Sequence, residues 1–176
     1  MKTTKQKLNY LFSLFFIVAL IVFATGSDCL GKDKKSKSVE KANKKFISAY
    51  TADFWNKQNI DAFDKYFAAD FVVHHADGDQ NYEQYKGLCK AYLTAFPDIH
   101  ITTHDRIAEG DKVVKIWTAN CTQKAEFMGI LATGKQIEVK GIEMFRIEDG
   151  KIAELWSSMD NLGMLQQLGV IPKMGE

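Results

Sequence analysis

From Ile99 to Ser158 the chain shows no helical period. It is a series of Val, Ile, Thr and aromatic-rich runs cut by turn signals. Ile99–Ala108 ends at the turn Glu109-Gly110-Asp111, and Lys112–Gln123 ends before Ala132-Thr133-Gly134-Lys135. Gln136–Ile147 meets Asp149-Gly150, a strong hairpin signal, and Ile152–Ser158 closes the series. The region before Pro97 has the other period. Ala42, Phe46, Ala49, Tyr50, Phe54 and Trp55 recur at spacings of three and four, which predicts a helix from near Val39, capped by Ser38, to about Gln58. A short helix with Phe63, Tyr66 and Phe67 inward follows, then a strand over Phe71–His75, a turn at Asp77-Gly78-Asp79, and a helix over Tyr82–Phe96 stopped by Pro97. Asp160 can cap a last helix carrying Leu162, Leu165 and Leu168. Helices followed by long hairpin-ordered strands specify an α+β domain whose sheet curls over its helices, not a βαβ fold.

The first 45 residues behave differently. Lys2, Lys5 and Lys7 precede an unbroken apolar run of 11 residues, Leu14–Ala24, and then Ala24-Thr25-Gly26. A run of about 7–15 apolar residues suits a signal peptide; a membrane-spanning helix wants about 20. The expectation is a signal peptide over 1–26, cleaved after Gly26, a Lys-rich linker over 27–38 and a domain over 39–176. Two alternatives stay open: a lipid anchor at Cys29, and an uncleaved membrane anchor over Leu8–Thr25. The linker reads as a solvated tether or as a basic patch beside an anionic membrane. In each case the site of action is outside the cytoplasm, periplasmic or extracellular.

Charge excludes one function class. From Phe46 onward 13 Lys and Arg stand against 19 Asp and Glu, a net charge of −6. Nucleic-acid binding needs the opposite sign. Three cysteines without a CxxC pair make neither a disulfide framework nor a Cys-rich zinc site. Cys89 and Cys121 read as buried apolar residues.

Five segments in order carry a resemblance: FAADFVVHH (67–75), FPDI (96–99), IAEGDKVV (107–114), EFMGILATGKQIEVKGIEMFRIEDGKIAELW (126–156) and DNLGMLQQLGVIP (160–172). Together they resemble the SnoaL-like polyketide cyclases, also called ester cyclases, of the NTF2-like superfamily. The resemblance implies a cone, with a curved antiparallel sheet wrapped around N-terminal helices and an apolar pocket between them. It also implies ring closure without metal or organic cofactor, a small hydrophobic molecule as partner, and pairing as a homodimer.

Such chemistry needs a base beside a carbonyl, donors for the enolate oxygen and an apolar pocket. His74 stands where the resembled family has a His. Gln123 stands where that family commonly has another; an amide donates a hydrogen bond but shuttles no proton. Glu138 lies near the family's strand Asp, and Asp160 follows Trp156 in the pattern Glu-x-Trp-x-x-x-Asp. The catalytic candidates are therefore His74, Gln123, Glu138 and Asp160, and the pocket candidates are Phe63, Phe67, Tyr92, Trp117 and Trp156. Glu138 has a competing reading. If a bulge at Gly141 keeps Ile142 and Met144 on the side of Ile137 and Val139, Glu138 and Lys140 form a solvated face. Adjacent His74 and His75 point to opposite faces of a strand, so one of them is inward and no single ion takes both. A non-catalytic module that binds a hydrophobic ligand, or one that serves assembly, fits the same residues.

Overall fold

The structure, a computed structural model, describes residues 34–76 and 78–172. The expected signal peptide, Cys29 and Asp77 lie outside the described residues. The chain divides into two units after Val39. In the first, residues 34–39 are helical, so Ser38 lies within helical backbone instead of capping a helix that starts after it. The run of lysines there does not break the helix, because Lys is a good helix former.

In the second unit, α1 covers residues 40–50. It passes into a π-helical turn over Thr51–Trp55, where the Asn56 amide donates to the Thr51 carbonyl at 3.1 Å. A 3₁₀ turn (Ile60–Ala62) leads into the one-turn helix α2 (Phe63–Tyr66). Strand β1 (Phe67–His75) starts four residues before the expected Phe71, and β2 (Gly78–Asn81) pairs back on it. Helix α3 (Tyr82–Ala95) begins with a reciprocal cap: Asn81 accepts from the Gln84 amide and Gln84 accepts from the Asn81 amide. The remaining elements are β3 (His100–Glu109), β4 (Lys112–Thr122), β5 (Gln136–Glu148), β6 (Lys151–Met159) and α4 (Asn161–Leu168).

The six strands form one curved, open sheet in the order β2-β1-β6-β5-β4-β3. It is mixed, where an antiparallel sheet was expected, because β1 lies parallel to β6. The chain between them, β2, α3 and β3 to β5, supplies the long connection that a parallel neighbour requires.

Aromatic rings fill one end of the interior. Tyr50, fully buried, packs against Phe54, Tyr66, Phe67 and Phe145 with centroids 5.4–6.0 Å apart. Phe63 and Phe67 stack at 4.1 Å. These rings leave that end solid, and the open volume lies elsewhere, between α3 and the inner face of the sheet.

Strand β5 departs from expectation in a way that decides the site. It pairs with β4 without a register shift, from Lys112 opposite Arg146 to Thr122 opposite Gln136, so there is no bulge at Gly141. Simple alternation then runs the length of β5. Ile137, Val139, Glu143 and Phe145 are buried, while Glu138, Lys140 and Ile142 are exposed.

Candidate functional site

A cavity of about 90 Å³ opens between α3 and the sheet. Trp55, Tyr85, Leu88, Tyr92 and Phe96 form its helical side; Ile101, Trp117, Ile137, Val139 and Met159 form its sheet side. Three polar side chains from the sheet also line it: His75, Glu143 and Ser157.

Strand register explains this grouping. Lys115 on β4 faces Glu143 on β5, and Glu143 faces Ser157 on β6. His74 on β1 faces Trp156 on β6 in parallel. The next residues along, His75 and Ser157, both turn to the cavity. One rung across four strands thus carries His75, Ser157, Glu143 and Lys115 on the inner face. Nothing in the local sequence marks it, because its members come from four separated segments.

The centre of the rung is a buried ion pair. Lys115 Nζ lies 2.7 Å from Glu143 Oε2, with the Lys115 side chain wholly buried. The ammonium also donates to Thr51 Oγ1 at 3.4 Å and sits over the rings of Tyr50, Trp117 and Phe145 at 5.3–5.9 Å. A carboxylate in apolar surroundings needs such a partner.

The other titratable walls hold their protons. Burial pushes the Tyr85 hydroxyl well above its ordinary value of 10. Burial pushes Tyr92 up to about 12, Cys121 up to about 12, and Cys89 up as well. At neutral pH these groups donate and do not accept protons. Among the described lining residues the bases are His75 and Glu143. Two buried ring nitrogens, His75 Nε2 and Trp117 Nε1, have no hydrogen-bond partner among the described residues. Trp117 stands opposite Gly141, where any Cβ would overlap indole Cζ2 and Cε2. Glycine at this position makes room for the ring to lie across β5.

Of the residues proposed from sequence, Tyr92 and Trp117 line the cavity and the others do not. Trp156 alternates with the fully buried Leu155, so it faces outward and stacks on His74 at 4.6 Å. His74 is on that outer face for the same reason, next to the buried Val73 register. Its Nδ1 meets Asp79 at 2.9 Å and its Nε2 meets Glu154 at 3.4 Å. Glu154 is buried enough to raise its pKa, yet hydrogen bonds from Arg146 and His74 hold it below the usual carboxylate value. Phe63 and Phe67 belong to the solid aromatic end. Glu138 is exposed and pairs with Lys140 at 3.3 Å. Asp160 caps α4, accepting from the Gly163 amide at 2.8 Å.

Gln123 is fully buried but serves the chain itself. Its Nε2 donates to the Ile130 carbonyl at 3.0 Å, and its Oε1 accepts from the Thr133 amide and hydroxyl at 3.1 and 2.7 Å. It clamps the loop whose Phe127 packs on Tyr92 and Phe96 at 4.5 and 5.4 Å. Gln123→Ala leaves those loop groups unpaired and should cost about 1–3 kcal/mol in urea unfolding. Unchanged stability would remove the clamp.

Sequence reasoning missed His75 and Glu143. Strand alternation left His75 open as the inward member of its pair; the expected bulge at Gly141 concealed Glu143.

Comparison with known proteins agrees with this architecture. AclR, a candidate hydroxylase from Streptomyces galilaeus, is 27% identical with a TM-score of 0.72, over 78% of this chain and 87% of that one. A candidate polyketide cyclase from Acidithiobacillus ferrooxidans is 32% identical with a TM-score of 0.65, over 73% and 94%. IdmH, a candidate polyketide cyclase from Streptomyces antibioticus, is 29% identical with a TM-score of 0.62, over 72% and 98%. No curated protein matches the chain. The family profile for SnoaL-like polyketide cyclases covers residues 46–168, from α1 to the last residue of α4, and the chain belongs to that family.

Proposed function

We propose that this protein is an acid/base enzyme of the cyclase type that works on a carbonyl compound without a cofactor. The observation that carries the reading is the pairing of two bases, Glu143 and His75, in a cavity whose other walls are apolar or hold their protons. Family membership and the cyclase and hydroxylase descriptions of its relatives support it.

In this mechanism Glu143 takes the proton from the carbon next to the carbonyl. The C–H electrons move into a C=C bond and the charge passes to the oxygen as an enolate. Where a second carbonyl lies within reach, the enolate carbon attacks it. A C–C bond forms, the new alkoxide takes a proton from His75, and the proton that Glu143 took from carbon replaces it on the imidazole. Lys115, 2.7 Å away, holds the Glu143 carboxyl group in place. Apolar walls exclude water, which strengthens each electrostatic contact.

The test is exchange of α-protons for deuterium on ketones in D₂O, followed by mass spectrometry. Exchange is expected with the parent protein and should fall by about 10²-fold or more in Glu143→Gln. Ligand binding without exchange would instead establish the non-catalytic binding reading.

We also propose that the enzyme is exported. The lysines before the apolar run Leu14–Ala24 support this. Protein from its native host should begin at Ser27, or at a lipidated Cys29, on N-terminal sequencing; an intact Met1 in the cytosolic fraction would sink the proposal.

A further inference from the structure

The carboxyl group read as the base is itself placed from a distance. Glu143 is held by Lys115, whose ammonium sits on a flexible four-carbon stem and does not stay in one place by itself. Among the described residues the oxygen partners of that ammonium are Glu143 Oε2 at 2.7 Å and Thr51 Oγ1 at 3.4 Å.

Thr51 is 4% exposed and opens the π-helical turn at the end of α1. Its hydroxyl donates to the Ile47 carbonyl at 3.0 Å. A hydroxyl has one hydrogen, so what it offers the ammonium is a lone pair. Threonine is a weak helix former, and a buried hydroxyl costs stability unless it is bonded; the residue is explained by what its oxygen holds. The turn that carries it is also anchored on its far side. Asn56, whose amide closes the turn on the Thr51 carbonyl, exchanges two side-chain bonds with the Ile101 backbone on β3, at 2.7 and 3.1 Å. Trp55, a wall of the cavity, donates from Nε1 to Tyr50 Oη at 2.8 Å. Thr51 is thus a fixed point between helix and sheet. Such π turns inside helices are frequent at functional sites.

We infer that Thr51 is a positioning residue: its hydroxyl fixes the Lys115 ammonium and, through it, the Glu143 carboxyl group. The inference rests on the proposed reading of Glu143 as the base, and it adds a group that touches no substrate. Misplacing a reacting group by about 1 Å costs about 10²-fold in rate, so loss of one of two anchors should cost about tenfold.

The test follows α-proton exchange of butanone in D₂O by mass spectrometry, with rates referred to the folded fraction from urea unfolding. Thr51→Val keeps the side-chain shape and removes the oxygen. It should lower kcat about tenfold and leave KM in place, and Thr51→Ser, which keeps the hydroxyl, should retain most of the parent rate. Should Thr51→Val not fold, Thr51→Ala takes its place. In a Glu143→Gln background Thr51→Val should cause no further loss, because no base is left to position. A general disturbance of the fold would lower the rate alike in both backgrounds. The parent rate in Thr51→Val, a Thr51→Ser rate as low as that of Thr51→Val, or an equal further loss in Glu143→Gln overturns the inference and leaves Glu143 as the base. No exchange with the parent protein removes the reading beneath it, so the two failures are told apart.

Discussion

Lys115→Met should destabilise the protein by about 3–5 kcal/mol, the expected cost of breaking a buried ion pair by removing one partner. Methionine matches the lysine stem in shape, so packing against Tyr50, Trp117 and Phe145 is largely kept. What is lost is the partner of Glu143, which is 6% exposed and sits 2.7 Å from the ammonium. The carboxylate must then stay charged and unpaired or take up a proton, and either outcome costs stability. Against a usual total of about 5–15 kcal/mol, this is a large fraction. The double variant Lys115→Met with Glu143→Leu should recover most of the loss, because no charge remains buried. Urea unfolding of the four proteins measures the cycle. Equal losses in single and double variants would mean that shape and not charge is at stake.

Glu143→Gln should lower the α-proton exchange rate by about 10²–10⁴-fold, the usual contribution of a general base. The substitution keeps volume and leaves an amide oxygen to accept from Lys115, but the buried ammonium loses its counter-charge, so stability falls and the rate is read on the folded fraction. Ketone binding should change little among folded molecules, because the amide keeps the size of the carboxyl group. A loss in rate without a loss in binding is the pattern of a group that acts in the transition state. Exchange at the parent rate in this variant would place the base elsewhere.

Much of the fold was legible in the sequence because it rests on local periods. The strands of β3 to β6 and their turns follow from β-rich runs and Gly-containing breaks, and α3 from its stripe and the proline after it. Pairing of β1 with β6 was not legible: a parallel partnership between distant segments leaves no local mark. The site was read less well for a related reason. Along a strand, one residue of slip sends each side chain to the other face. A bulge placed at Gly141 therefore hid Glu143. The glycine is real in its consequence but different in cause: it makes room for Trp117 and does not interrupt the ladder. At His74 and His75 the alternation was read correctly and left two choices; the buried Val73 decides for His75. Gln123 had the residue type of a site donor, but only a folded loop could reveal that its bonding capacity is already used.

The parallel seam between β1 and β6 also sets an order in time. Residues 74 and 154, whose side chains meet across it, lie 80 positions apart in the chain. During synthesis, at about 5–20 residues per second, β1 leaves the ribosome several seconds before its neighbour exists. Until β6 arrives, β1 has β2 on one edge and an open edge on the other, a state prone to wrong pairing. His75 gains its place beside Ser157 only when nearly the whole chain is out. A chain cut short before β6 would keep α1 to α3 and still lack the rung that joins its two bases.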